Sequence, residues 1–84
     1  MSTEEIKNSI KNFIAETSFT DLSKLSDNVL IFQEGYFDSM GFVSLIAFLE
    51  EKFEVQVKDD ELLEENFESI KAITDYVTKK LNHQ

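Results

Sequence analysis

The chain has no cysteine, no proline and no arginine, and each absence removes a class of chemistry. Without cysteine there are no disulfides, no thiolate metal sites and no cysteine nucleophile, so any thiol chemistry must be imported. Without arginine, and with a formal net charge of -9, the phosphate contacts that hold nucleic acid have little to be built from. No run approaches the 18 or so apolar residues of a membrane span, and the N-terminal MSTEEIKNSI carries acids and no apolar core of a signal peptide. These features place the chain in the cytoplasm, with no membrane span and no nucleic-acid partner. Repeats, low-complexity stretches and linkers are missing too, so the 84 residues read as one domain over 1–84.

What is present suits a packed domain: 42% hydrophobic and 30% charged residues. The negative charge is concentrated. Residues 34–68 hold eleven acids against Lys52 and Lys58, while the flanking segments sum to zero. Basic partner surfaces fit such a middle section.

Hydrophobic spacing predicts helices. Ser2 and Glu5 have capping-box spacing ahead of Ile6, Ile10, Phe13 and Ile14, one face of a helix over about 3–16. From Thr17 to Asp38 the period is lost. Leu22, Leu25, Leu30, Ile31 and Phe32 are nevertheless too apolar for a solvated loop, and so long a loop in a small domain must be pinned or functional. Ser39–Phe53 is the clearest helix, with Phe42, Leu45, Ile46, Leu49 and Phe53 within about 100° of one another. Met40, Val43 and Ala47 lie on its flank and back, with no core to enter. Val55 and Val57 read as an extended connection; Asp59 is a candidate cap for a short helix holding Leu62 and Leu63, with Asn66 as its stop. A last helix begins at the Ser69 cap, buries Ile70, Ile73, Val77 and Leu81, and ends with Lys79 and Lys80. The fold class is all-α: a small four-helix bundle of three main helices and one short one, with a long loop between helices 1 and 2.

The segment Glu34-Gly35-Tyr36-Phe37-Asp38-Ser39-Met40 joins that loop to the second helix. Asp38 and Ser39 are both good capping residues, and Ser39 is open to two readings, as a cap or as a modified serine. First-turn N–H groups and the positive end of the helix dipole tolerate a phosphate there. No base accompanies the hydroxyl, since the only histidine is His83 in the tail, so another enzyme must act on it. His83, standing alone, is not a metal-ligand set, and the acidic run Lys58–Glu65 lacks the 1, 3, 5 spacing and central glycine of an EF-hand loop; no metal site is expected.

Gly35-Tyr36-Phe37-Asp38-Ser39-Met40 resembles the Gly-x-x-Asp-Ser-[Leu/Met] signature of the acyl carrier protein family. The likeness extends over the whole length in order and spacing: a first amphipathic helix, a long loop, Leu45-x-x-x-Leu49-Glu50-Glu51-Lys52-Phe53, Val55-x-Val57, an acidic short helix, and Ser69-Ile70 opening the last helix. The resemblance implies a stand-alone, monomeric, non-enzymatic carrier of acyl or aminoacyl thioesters for fatty acid, polyketide or related biosynthesis. It implies a covalent 4′-phosphopantetheine, taken from coenzyme A, on Ser39, with Asp38 assisting recognition by the phosphopantetheinyl transferase. Met40, Val43 and Ala47 match the positions that dock catalytic partners, and Glu50 and Glu51 match acids that meet basic patches on the loading and biosynthetic enzymes. At Gly41 and Ser44 the bacterial fatty-acid carriers usually show acids, and Tyr36-Phe37 and Glu65-Asn66-Phe67 look more like specialised carriers of aminoacyl or unusual acyl groups. Eight phenylalanines in so small a core leave little free volume, which favours short or polar cargo. The alternative in another class is an unmodified acidic helical adaptor that binds protein through Met40, Val43 and Ala47.

Overall fold

A computed structural model describes residues 2–82. Helix α1 spans Thr3–Ser18, α2 Ser39–Phe53, α3 Glu64–Phe67 and α4 Ile70–Asn82, with single 3₁₀ turns at Leu22–Lys24 and Asp59–Glu61. No strand forms among the described residues; one antiparallel bridge pairs Leu30 with Ser69.

The capping box at the start of α1 is made in both directions: Ser2 Oγ accepts from Glu5 N–H at 3.1 Å and Glu5 Oε1 accepts from Ser2 N–H at 3.2 Å. This helix runs two residues beyond the expected end, and in its last turn the Ser18 hydroxyl donates to Ile14 O. It then closes on Phe19 in the left-handed region at φ 57°, a position usually given to glycine. Ile6, Ile10 and Ile14 from α1, Leu45 and Leu49 from α2, and Ile70, Ile73 and Val77 from α4 are all buried, and form one core. Phe42 and Ile46 sit at its margin, half-buried.

The long loop is pinned at three places. Leu25, Ile31 and Phe37 enter the core. Asp27 bridges to Lys7 and Lys11 of α1 at 3.1 and 3.4 Å, and its carbonyl accepts from Lys71 N–H at the start of α4. Ile31 N–H donates to Glu68 O, and Ile31 O accepts from both Tyr36 and Phe37, folding residues 31–37 into a tight turn around Gly35 at φ 81°. That turn delivers Asp38 and Ser39 to the mouth of α2.

The region after α2 departs from the sequence expectation. Asp59 makes no side-chain cap, Asp59–Glu61 is one 3₁₀ turn, and α3 starts only at Glu64, leaving Leu62 and Leu63 exposed in the connection. Asn66 lies inside α3 and donates to Glu61 O, rather than ending a helix. Glu61 is the reason. Its carboxylate accepts from Lys58 N–H (2.9 Å), Lys80 Nζ (2.9 Å) and the Tyr76 hydroxyl (3.1 Å), drawing the backbone toward α4 after a single turn. Burial, then the bond to Glu61, pushes the Tyr76 hydroxyl up, so it stays a donor.

The Lys58 N–H, then Lys80 and Tyr76, hold the Glu61 carboxyl below its ordinary value. A depressed carboxyl stabilises the fold above its unfolded value, and that contribution disappears as the pH falls through the folded value. Thermal melts from neutral pH to about pH 3 are expected to fall more steeply for wild type than for Glu61→Gln, which is less stable at neutral pH and loses less on acidification. Parallel curves for the two proteins would contradict this role.

Gly41 has a structural use. A Cβ there would stand 3.0 Å from Phe37 Cγ and 3.2 Å from its Cδ1, and Phe37 is itself held between Phe13 and Phe32 at centroid distances of 6.3 and 6.1 Å. Gly41→Ala gains about 1 kcal/mol of helix propensity and costs about 1–3 kcal/mol in overpacking. The expected result is no gain in melting temperature, ranging to a net loss of about 2 kcal/mol; a clear rise would show that the ring gives way.

Candidate functional site

The mouth of α2 is built by a division of labour between two adjacent residues. Asp38 is the N-cap: extended at φ −111° and ψ −167°, it accepts from Gly41 N–H through Oδ1 at 2.9 Å, while its carbonyl takes the Phe42 N–H. Ser39 is therefore the first helical residue, not the cap. Its side chain is exposed, and its hydroxyl makes no hydrogen bond to any described residue. The backbone N–H groups of Ser39 and Met40 also have no partner among the described residues, which leaves donors and the positive end of the dipole beside the free hydroxyl.

Met40 and Val43 are 73% and 63% exposed, unusual for large apolar side chains, and Ala47 is exposed one turn further along. Glu51 is exposed on the same side of the helix. Glu50 is placed differently: it is half-buried, and its Oε2 accepts from Val57 N–H at 3.0 Å, tying α2 to the connection that follows. Spacing alone gave the two acids the same job; the hydrogen bond separates them.

Two shallow depressions flank the serine. An open groove of about 470 Å³ is lined by Phe32, Asp38, Ser39, Phe42 and Val43. On the other side, Thr17, Gly35, Tyr36, Met40 and Ser44 border a second one of about 330 Å³. Among the described residues no three or more His, Cys, Asp or Glu side chains are grouped to hold a metal ion. His83 lies outside the described residues.

A sequence family described as the phosphopantetheine attachment site matches residues 8–77. The acyl carrier protein of Lactobacillus acidophilus is 34% identical over 84 residues, covering 100% of this chain and 99% of its own. The chain belongs to the acyl carrier protein family. A D-alanyl carrier protein of Streptococcus suis is 33% identical over 78 residues, 93% of this chain and 98% of that one. The acyl carrier protein of Buchnera aphidicola is 30% identical over 76 residues, 90% and 95% of the two chains. As a member of this family the protein is a carrier that holds its cargo as a thioester on a covalent 4′-phosphopantetheine. The residues at the mouth of α2 fit such a group: an exposed, unpartnered hydroxyl, unpaired first-turn N–H groups for a phosphate, and open space on either side.

What sequence reasoning missed in this carrier is second to the serine itself. The contacts that aim it, from Ile31 to Glu68 and from Asp27 to Lys71, join the long loop to residues around the start of α4, far along the chain, and such pairings carry no local signal. In the sequence Gly41 stands out only as a departure from the acids of the bacterial fatty-acid carriers, and its contact with Phe37 needs the folded turn.

Proposed function

We propose that Ser39 is the residue that carries the phosphopantetheine, and that residues 1–84 act as one monomeric cytoplasmic carrier domain that catalyses no reaction itself. One observation carries the assignment. Asp38 does the capping, so the Ser39 hydroxyl is left exposed and without a partner at a helix mouth suited to phosphate. When bound, the group supplies the thiol that a cysteine-free chain lacks, on which acyl or aminoacyl cargo for fatty acid, polyketide or related biosynthesis is held.

The protein's own share of the work is placement. The one carboxylate beside Ser39, that of Asp38, is held by Gly41 N–H and makes no hydrogen bond to the hydroxyl, so the hydroxyl proton is taken by a phosphopantetheinyl transferase, acting with coenzyme A and Mg²⁺. Asp38 is fixed by its bond to Gly41 N–H and presents its remaining oxygen next to the serine for that enzyme to read. Met40, Val43 and Ala47 are the apolar centre of the docking face. Glu51, with Glu50 at its margin, gives that face an acidic rim for basic patches on loading and biosynthetic enzymes, favouring fast encounter and easy release. Tethering raises the effective concentration of the cargo at each partner in turn.

The test is to incubate the purified protein with coenzyme A, Mg²⁺ and a broad-specificity phosphopantetheinyl transferase and weigh it. A gain of one phosphopantetheinyl group is expected. An unchanged mass would favour the unmodified adaptor.

A further inference from the structure

We infer that three phenylalanines, Phe32, Phe42 and Phe67, limit the cargo of this carrier by closing the groove beside Ser39 before it reaches the core, so that an acyl chain stays on the surface. The inference rests on the assignment of Ser39 and concerns the nature of what is carried there.

The groove's lining is its first support. Phe32, Asp38, Ser39, Phe42 and Val43 are half-buried or exposed, and none of the fully buried residues Leu45, Leu49, Phe67 or Ile70 takes part. The depression therefore ends on rings.

Those rings form a continuous seam across three separate elements. Phe32 of the loop meets Phe42 of α2 edge-on, with centroids 5.7 Å apart and planes at 71°; Phe42 meets Phe67 of α3 in the same manner at 5.5 Å and 79°. Phe67 continues to Tyr76 of α4 at 5.1 Å. Edge-to-face contacts at these distances are favourable in themselves, so displacing a ring to admit a chain loses contacts as well as space. Neither end of the seam is loose. Phe32 follows Ile31, which is buried and bonded to Glu68 O, and Phe67 is itself buried. An acyl group leaving Ser39 finds a short apolar shelf formed by Phe32, Phe42 and Val43, with solvent beyond it. Short or polar acyl groups suit such a site, since they lose little by remaining exposed.

The experiment loads the carrier from acetyl- and octanoyl-coenzyme A by means of the transferase, which places the acyl phosphopantetheine on the serine and releases adenosine 3′,5′-bisphosphate, confirms each form by intact mass, and follows thioester cleavage by hydroxylamine against the matching free pantetheine thioesters. For wild type, both loaded forms are expected to react within about twofold of their free counterparts, because nothing shields them. Phenylalanine ring resonances should likewise match between the acetyl and octanoyl forms. Phe42→Ala opens the seam, and its octanoyl form is expected to react about tenfold more slowly than its acetyl form, the effect of burying roughly two methylenes. Phe32→Ala makes the same opening from the loop side, where the side chain is only half-buried, and decides the matter if Phe42→Ala does not fold. Tenfold protection of octanoyl on wild type would overturn the inference while leaving Ser39 intact as the attachment site. Loss of the effect in both variants would show that other residues set the limit. An absence of any mass gain would instead sink the Ser39 assignment, and this inference with it.

Discussion

Ser39→Ala is expected to lose all capacity to accept phosphopantetheine while folding as wild type does. The two halves of that result come from separate facts. The hydroxyl is the proposed acceptor; of the other serines at helix mouths, Ser2 is engaged by Glu5 N–H and Ser69 is buried and engaged by Ala72 N–H. Structurally it is idle: exposed, at the first helical position, without a hydrogen bond. Surface changes away from special features stay within about 0.5 kcal/mol, so the denaturation midpoint should barely move. Asp38→Ala supplies the contrast, because it strips the Gly41 N–H of its partner and is expected to cost about 1 kcal/mol. Should Ser39→Ala prove the costlier of the two, the capping role would belong to the serine after all.

Phe67→Ala is expected to have the opposite profile, with the attachment chemistry untouched in principle and the fold failing around it. Phe67 is 1% exposed and is the only buried residue of α3, a helix of four residues that cannot stand on backbone bonds alone. Its ring joins Phe42 of α2 to Tyr76 of α4. Removing a buried phenylalanine costs about 3–5 kcal/mol through lost transfer energy and the cavity left behind. Against total stabilities of about 5–15 kcal/mol, low in that range for so short a chain, the loss approaches unfolding. Urea titration checks this, with Phe67→Leu expected to fall between wild type and the alanine variant. A midpoint unchanged in Phe67→Ala would mean that α3 is held by something other than this ring.

Much of this architecture was legible beforehand, because the strongest signals in the chain are local. The period of Ile6, Ile10 and Ile14, of Leu45, Leu49 and Phe53, and of Ile70, Ile73 and Val77 survives folding unchanged, since each set faces one core. The cap at Ser2 and the cap at Ser69, whose Oγ accepts from Ala72 N–H, are likewise settled within four residues of sequence. Where reading along the chain fell short, a distant partner decided. Glu61 stops a helix at one turn because Lys80 and Tyr76, 19 and 15 residues later, claim its carboxylate. Glu50 turns inward for Val57 N–H, a donor freed only because the connection forms no strand. The phenylalanines illustrate the same limit. Phe37, Phe53 and Phe67 are buried, four others sit at the margin, and Phe19 is 95% exposed on its left-handed turn. Composition gives the number of rings but not which of them the helices enclose.

At the mouth of α2 the sequence motif and the geometry answer different questions. The motif brings the chain into a family; the hydrogen bond from Gly41 N–H to Asp38 tells which of two adjacent capping residues is left free. Eight serines occur in the chain, among them Ser44 one turn further along the same helix and Ser69 at another cap. Peptide mapping of the transferase-treated protein, with fragmentation to locate the added group, separates them directly. The account predicts a single modified residue, Ser39, with the other seven serines unchanged. A phosphopantetheinyl group found on Ser44, Ser69 or any other position would contradict it.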